Sequence, residues 1–171
     1  MDSMQSIGFG GNGLEGPLPM EWSRTSKLVD MYLDDNRFTG SLLREWSALR
    51  KARYMYLSDN RLTGPLPPEW STIPSTSRVL HRNRLSSTLP KQWSVLAGLQ
   101  YLILSSNRLS GWLPSEWTMG KNQLSGPLPP SWSLFTNLRR LELAQNALGG
   151  TIPQEWQGMG AIDLMLDFNL L

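Results

Sequence analysis

Apolar and polar positions along the chain fall into a phase set by asparagine. Asn12, Asn36, Asn60, Asn83, Asn107, Asn122, Asn146 and Asn169 follow one another at spacings of 24, 24, 23, 24, 15, 24 and 23 residues. Two residues after each anchor stand Leu14, Phe38, Leu62, Leu85, Leu109, Leu124, Leu148 and Leu171. Six after the first seven stand Leu18, Leu42, Leu66, Leu89, Leu113, Leu128 and Ile152. One unit therefore recurs, and its apolar columns predict stacked core layers. The LxL before each asparagine alternates with a period of two and is too short for a helix, so each unit predicts one short strand of a parallel sheet. The glycine and Leu-Pro that follow break the strand, because proline fixes φ and lacks an amide hydrogen. The return leg of about ten residues has room for only a short or 3₁₀-like helix. A single unit cannot bury its own apolar side, so stacking is what makes the array stable.

The asparagines have a backbone role in this scheme. At a tight turn an inward amide can satisfy peptide groups of its own and the neighbouring coil. Asn36, Asn60, Asn83, Asn107 and Asn146 are expected to form this structural ladder.

The full template reads LxxLxLxxNxLxGxLPxEWxxL, and residues 52–73 match it almost throughout. It resembles the plant-type class of leucine-rich repeats. The tryptophan-bearing form, Leu66-Pro67-Pro68-Glu69-Trp70 and Leu113-Pro114-Ser115-Glu116-Trp117, is most similar to the leucine-rich surface antigens of kinetoplastid parasites. The resemblance implies an α/β solenoid, a right-handed superhelix with a parallel β-sheet on the concave face and short 3₁₀ or irregular segments on the convex face. It also implies adhesion or recognition at the cell surface. Residues 1–171 read as a single domain of about eight repeats, the first and last incomplete and the fifth lacking its strand. Cysteine-bearing caps, a threonine-rich stalk and an anchor signal are not seen in this sequence.

Composition narrows the function classes. With 16 basic and 14 acidic residues, the chain lacks the basic face of a nucleic-acid binder. There is no cysteine, so disulfides and thiolate metal sites are excluded. No stretch approaches the roughly 20 apolar residues that span a bilayer, and Met1 to Gly16 does not read as a signal peptide. The expectation is a cell-surface or secreted protein whose leader is absent from this chain, with a cytoplasmic relative as the alternative.

Three columns are candidates for chemistry. Trp22, Trp46, Trp70, Trp93, Trp117, Trp132 and Trp156 lie ten residues after their anchors. They occupy a slot that holds leucine in the plant-type template, so burial in the core is expected rather than sugar stacking. Trp112 lies off this column and is expected to be partly exposed. Arg37, Arg61, Arg84 and Arg108 follow four consecutive anchors. Asp34, Asp35 and Asp59 are expected to pair with the first two, leaving Arg84 and Arg108 as an anion-binding strip or a solvated ladder. All four tyrosines, Tyr32, Tyr54, Tyr56 and Tyr101, fall at strand positions facing away from the core. Tyr32, Tyr56, Val79 and Ile103 are expected to form one row, with Tyr54 and Tyr101 in the next. Exposed aromatics of this kind mark interaction surfaces.

The expected partner is another protein, bound on this face by Tyr32, Tyr54, Tyr56, Val79, His81, Tyr101 and Ile103 with Arg84 and Arg108 beside them. A glycan is a second candidate, and a structural scaffold or coat antigen without a specific ligand is the rival reading. The single histidine, His81, has no partner for a metal or a nucleophile. The recurrent Glu21, Glu45, Glu69, Glu116 and Glu155 are repetition rather than a tuned acid and base pair. No catalytic residue, cofactor or metal is expected.

Two irregularities carry their own expectations. Arg78 stands where Met31, Met55, Leu102 and Leu141 point inward, so the strand near Ser77 is expected to shift register or swing Arg78 out. Trp117 and Asn122 are five residues apart where other units place 13 or 14. That interval lacks a strand, and a segment missing from the sequence near Gly120 and Lys121 is the preferred explanation.

Overall fold

A computed structural model describes residues 3–96, 98–112, 123–130, 140–158 and 163–171. The strand before each asparagine appears as expected, and these strands form one parallel sheet. They are β1 (Ser6–Gly8), β3 (Asp30–Tyr32), β5 (Tyr54–Tyr56), β7 (Ser77–Val79), β9 (Tyr101–Ile103), β12 (Arg140–Glu142) and β14 (Asp163–Met165), in that spatial order. Ile7, Met31, Met55, Leu102, and Leu33, Leu57, Leu80 and Leu104 two places on, point into the core and are buried.

A second parallel sheet lies beyond the asparagines, where turns alone were expected. It contains β4 (Arg37–Thr39) paired with β2 (Glu15–Pro17), and separately β6 (Thr63–Gly64), β8 (Arg84–Ser87), β10 (Arg108–Trp112), β11 (Gln123–Pro127) and β13 (Ala147–Gly149). The glycine does close β4, β6 and β13, while Gly16, Gly111 and Gly126 lie one residue inside the ends of β2, β10 and β11. Gly40 and Gly64 adopt φ of 76° and 78°, and Ser87, which replaces glycine in the same slot, is held at 71°.

The asparagine ladder is the seam between the sheets. Asn60 Oδ1 accepts from the Phe38 amide at 2.9 Å, and Nδ2 donates to the carbonyls of Leu33, Leu57 and Ser58. Asn36, Asn83 and Asn107 repeat this pattern, each bridging its own coil and the one before. Asn146 accepts from the Leu124 amide and donates to Leu143. Amide geometry thus satisfies backbone groups that the inward turn would orphan.

The return legs carry 3₁₀ turns at Met20–Arg24, Arg44–Ala48, Pro68–Thr72, Lys91–Val95 and Gln154–Gly158. Trp46, Trp70, Trp93 and Trp156 sit in these turns and are buried, while Trp22 in the first is half-buried. Successive rings stack at 6.1, 6.2 and 6.3 Å from Trp22 through Trp93. Each buried indole N–H donates to a carbonyl of the preceding coil: Pro19, Leu43 and Pro67, each just before that coil's 3₁₀ turn, and Pro129. The ladder is therefore core, as its slot suggests, and Trp112, Trp117 and Trp132 have side chains outside the described residues.

Three expected core residues are exposed instead: Leu14 at 41%, Ile152 at 55% and Leu171 at 43%. Leu14 and Leu171 belong to the first and last coils and Ile152 to the seventh, and a second neighbour to cover each is lacking among the described residues.

Arg78 also overturns its expectation. The strand keeps register, with Arg78 opposite Met55 and Leu102, and the side chain is fully buried. Its Nε donates to Ser75 Oγ at 2.5 Å, and Nη2 donates to the carbonyls of Trp70 and Ile73. The guanidinium lies 4.4 Å over the Trp93 ring. The short spacing of this unit is absorbed in the leg, not the strand. Other legs make a turn in which Leu28, Ala52 and Leu99 bond to the third residue back, whereas here Ser75 bonds to Ile73 across Pro74. The shortened leg places a small hydroxyl and two carbonyls where the arginine can reach them. Burial still pushes the guanidinium down to about 9, and it stays charged at neutral pH.

The main sheet does skip a strand at the short interval. Arg140 of β12 is in register with Tyr101 of β9. On the other side the second sheet keeps every step, with Ser110 opposite Gln123 and Ser125 opposite Ala147. The backbone of 117–122 lies outside the described residues.

Candidate recognition face

Alternation along each main-sheet strand points the residues between the core positions outward. Register then places Tyr32, Tyr56, Val79 and Ile103 in one row across four strands. Tyr54, Ser77 and Tyr101 line the next. Tyr32 and Tyr56 stack with ring centroids 5.2 Å apart and planes 29° off parallel. Tyr32, Tyr54 and Tyr101 are exposed at 38–40%, and Tyr56 and Ile103 are half-buried. Val79, expected as a contact residue, is only 6% exposed. A short branched side chain between two bulkier neighbours in its row presents little surface.

Partial burial, and next the Asp30 carboxylate, push the Tyr32 phenol above its ordinary value. It stays neutral at physiological pH and can donate a hydrogen bond. His81 is half-buried, with Nε2 3.3 Å from Asp59 Oδ2, while Nδ1 is buried and without a partner among the described residues. Asp59 also accepts from Arg82 at 3.3 Å.

The arginine column is not where a contact with the tyrosines would require. Arg37, Arg84 and Arg108 begin strands of the second sheet, five residues beyond the tyrosine row and past the inward asparagine. Its ion pairs differ too. Arg37 pairs with Glu15 at 3.0 Å, not with Asp34 or Asp35, and Asp59 serves His81 and Arg82. Cross-coil register explains this: Arg37 faces Glu15, whereas Arg84 faces Thr63 and Arg108 faces Ser86. Among the described residues Arg61, Arg84 and Arg108 are exposed and make no ion pair.

Among the described residues no cluster of His, Cys, Asp and Glu could hold a metal ion, and no helix is long and apolar enough to cross a membrane.

Comparison with known proteins agrees with this architecture. A family model described as Leucine Rich Repeat matches residues 51–73, 98–119 and 137–159. No curated protein sequence gives a significant match. Among solved structures, the plant peptide hormone receptor RGFR1 in complex with RGF2 is 28% identical, with a TM-score of 0.91 over 98% of this chain and 29% of that one. A plant ice-binding protein is 25% identical, with a TM-score of 0.79 over 95% of this chain and 57% of that one. The BIR2 ectodomain from Arabidopsis thaliana is 30% identical, with a TM-score of 0.63 over 68% of this chain and 67% of that one. The chain thus spans less than a third of the receptor chain it superposes on. With the repeat template, the paired parallel sheets and these similarities together, the chain belongs to the leucine-rich-repeat proteins.

Proposed function

We propose that this chain is a recognition module that holds a protein or peptide on the outer face of its main sheet, outside the cell or at its surface. The observation that carries the reading is the confinement of all four tyrosines to that face, in two adjacent rows. Tyrosine offers a large contact area at a small entropic cost and a hydroxyl for hydrogen bonding. The similar structures of plant receptors bound to peptide hormones support a peptide-sized ligand and an extracellular setting. Residues 1–171 act in this reading as one solenoid of about eight repeats. The finer kinship with kinetoplastid surface antigens rests on the Leu-Pro-x-Glu-Trp motif.

The rival readings have less support. A glycan platform built on the tryptophan ladder would need those rings outside, and Trp46, Trp70 and Trp93 are fully buried. A space-filling coat would not need its tyrosines confined to one face.

The test is a selection of random linear peptides displayed on phage, run against the wild type and a Tyr32→Ala, Tyr56→Ala, Tyr101→Ala variant. Selected peptides are expected to bind the variant at least tenfold more weakly, the loss of about 1.4 kcal/mol or more. Equal binding to both proteins would overturn the reading.

A further inference from the structure

Resting on that reading, we infer that the open side of the Tyr32 ring, between Asp30 and Asp34, is a subsite for a basic side chain of the bound peptide, an arginine or a lysine. Tyr32 has a neighbour on one side only. Tyr56 stacks against one side of it, and the residue opposite on the other side is Gly8. A Cβ placed on Gly8 would meet no atom within 4 Å, so among the described residues the space on that side of the ring is open. The next position, Gly10, is also without a side chain, and the Asp34 carboxylate leans over it, 3.1 Å from where a Cβ would stand.

Asp30 and Asp34 flank Tyr32 at two residues on either side, and the inter-coil hydrogen bonds continue through Asp34, whose carbonyl accepts from Gly11 at 2.9 Å. All three side chains therefore leave the same face. Both carboxylates are half-buried, and among the described residues neither has an ion pair or a side-chain hydrogen bond. The remaining outward positions of β1, β3 and β5 hold serine, glycine and tyrosine, so the face itself supplies no counter-charge.

Charge complementarity selects the occupant. An apolar group laid on Tyr32 would strip water from two uncompensated carboxylates, which is costly. A guanidinium or ammonium gains the attraction of the ring face and of the carboxylates together. An acidic ligand is disfavoured at this end of the sheet for the same reason.

The selection described above separates this inference from the reading beneath it. Peptides chosen on the wild type should share an arginine or lysine at one fixed position. Such a peptide should bind the Asp30→Asn, Asp34→Asn double variant about tenfold more weakly. Gly8→Val, which fills the space beside the ring and leaves both carboxylates in place, should weaken it comparably. Changing the fixed base to glutamine should cost as much on the wild type and nothing further on the double variant, the mark of a direct pair. Tyrosine-dependent peptides without a fixed base, or a basic peptide indifferent to both variants, would overturn the subsite and leave the recognition face standing. Failure to select any peptide over the triple tyrosine variant would overturn both.

Discussion

Trp70→Ala should destabilise the chain by about 3–5 kcal/mol, the range for large-to-small truncations in a packed core. Trp70 is fully buried between Trp46 and Trp93, with ring centroids 6.2 and 6.3 Å away. Its indole N–H donates to the Leu43 carbonyl at 2.8 Å, so the truncation also leaves that acceptor without its partner. The Trp70 backbone carbonyl is one of the two that hold Arg78. Loosening this leg therefore also disturbs the support of a buried charge. Because coils touch only their neighbours, the damage should concentrate in the third and fourth coils and broaden or split the transition. Urea unfolding followed by far-ultraviolet circular dichroism measures this. A loss below about 1 kcal/mol would contradict the assignment of the tryptophan column to the core.

Asn60→Ala should cost about 3 kcal/mol, several times what a surface polar residue would. The single side chain serves the Phe38 amide and the Leu33, Leu57 and Ser58 carbonyls, and three of those four partners belong to residues that are themselves buried hydrophobics. Alanine offers none of these bonds and leaves no room for water to replace all of them. Asn60→Asp is informative beside it: the carboxylate can still accept from Phe38 but faces three carbonyls it cannot donate to when ionised. Its stability should recover as pH falls and the carboxyl protonates, whereas the alanine variant should show no such recovery. Chemical unfolding at pH 4 and pH 7 decides the matter.

The parts of this fold that were legible in the sequence are those set by period. The asparagine ladder, the inward leucines and the tyrosine rows follow from counting along one coil, and the stacked coils repeat the count. What was not legible depends on neighbours in other coils. Arg37 finds Glu15, which is 22 residues away, because the second sheet offsets adjacent coils; nearness in sequence had suggested Asp34 and Asp35. The second sheet itself hides in segments such as Arg37-Phe38-Thr39, too short for alternation to stand out beside Gly and Leu-Pro, although the slot at positive φ falls within one residue of each strand's end. Arg78 was misjudged because hydropathy counts its charge and not its geometry. A leg one residue shorter leaves carbonyls at the reach of a guanidinium, and a tryptophan face lies below it. Val79 shows the converse: its outward phase was legible, and its shielding by its neighbours in the row was not.

The recognition face can be tested without substituting any residue on it. Incorporating 3-fluorotyrosine places a fluorine reporter at Tyr32, Tyr54, Tyr56 and Tyr101 alone, all on the outer face of the main sheet. Incorporating 5-fluorotryptophan in a second sample reports on the core through Trp46, Trp70 and Trp93. On titration with a selected peptide, the account predicts that the fluorotyrosine resonances shift and saturate together while those of the buried fluorotryptophans stay in place. Saturating binding with the tyrosine resonances unmoved would contradict it.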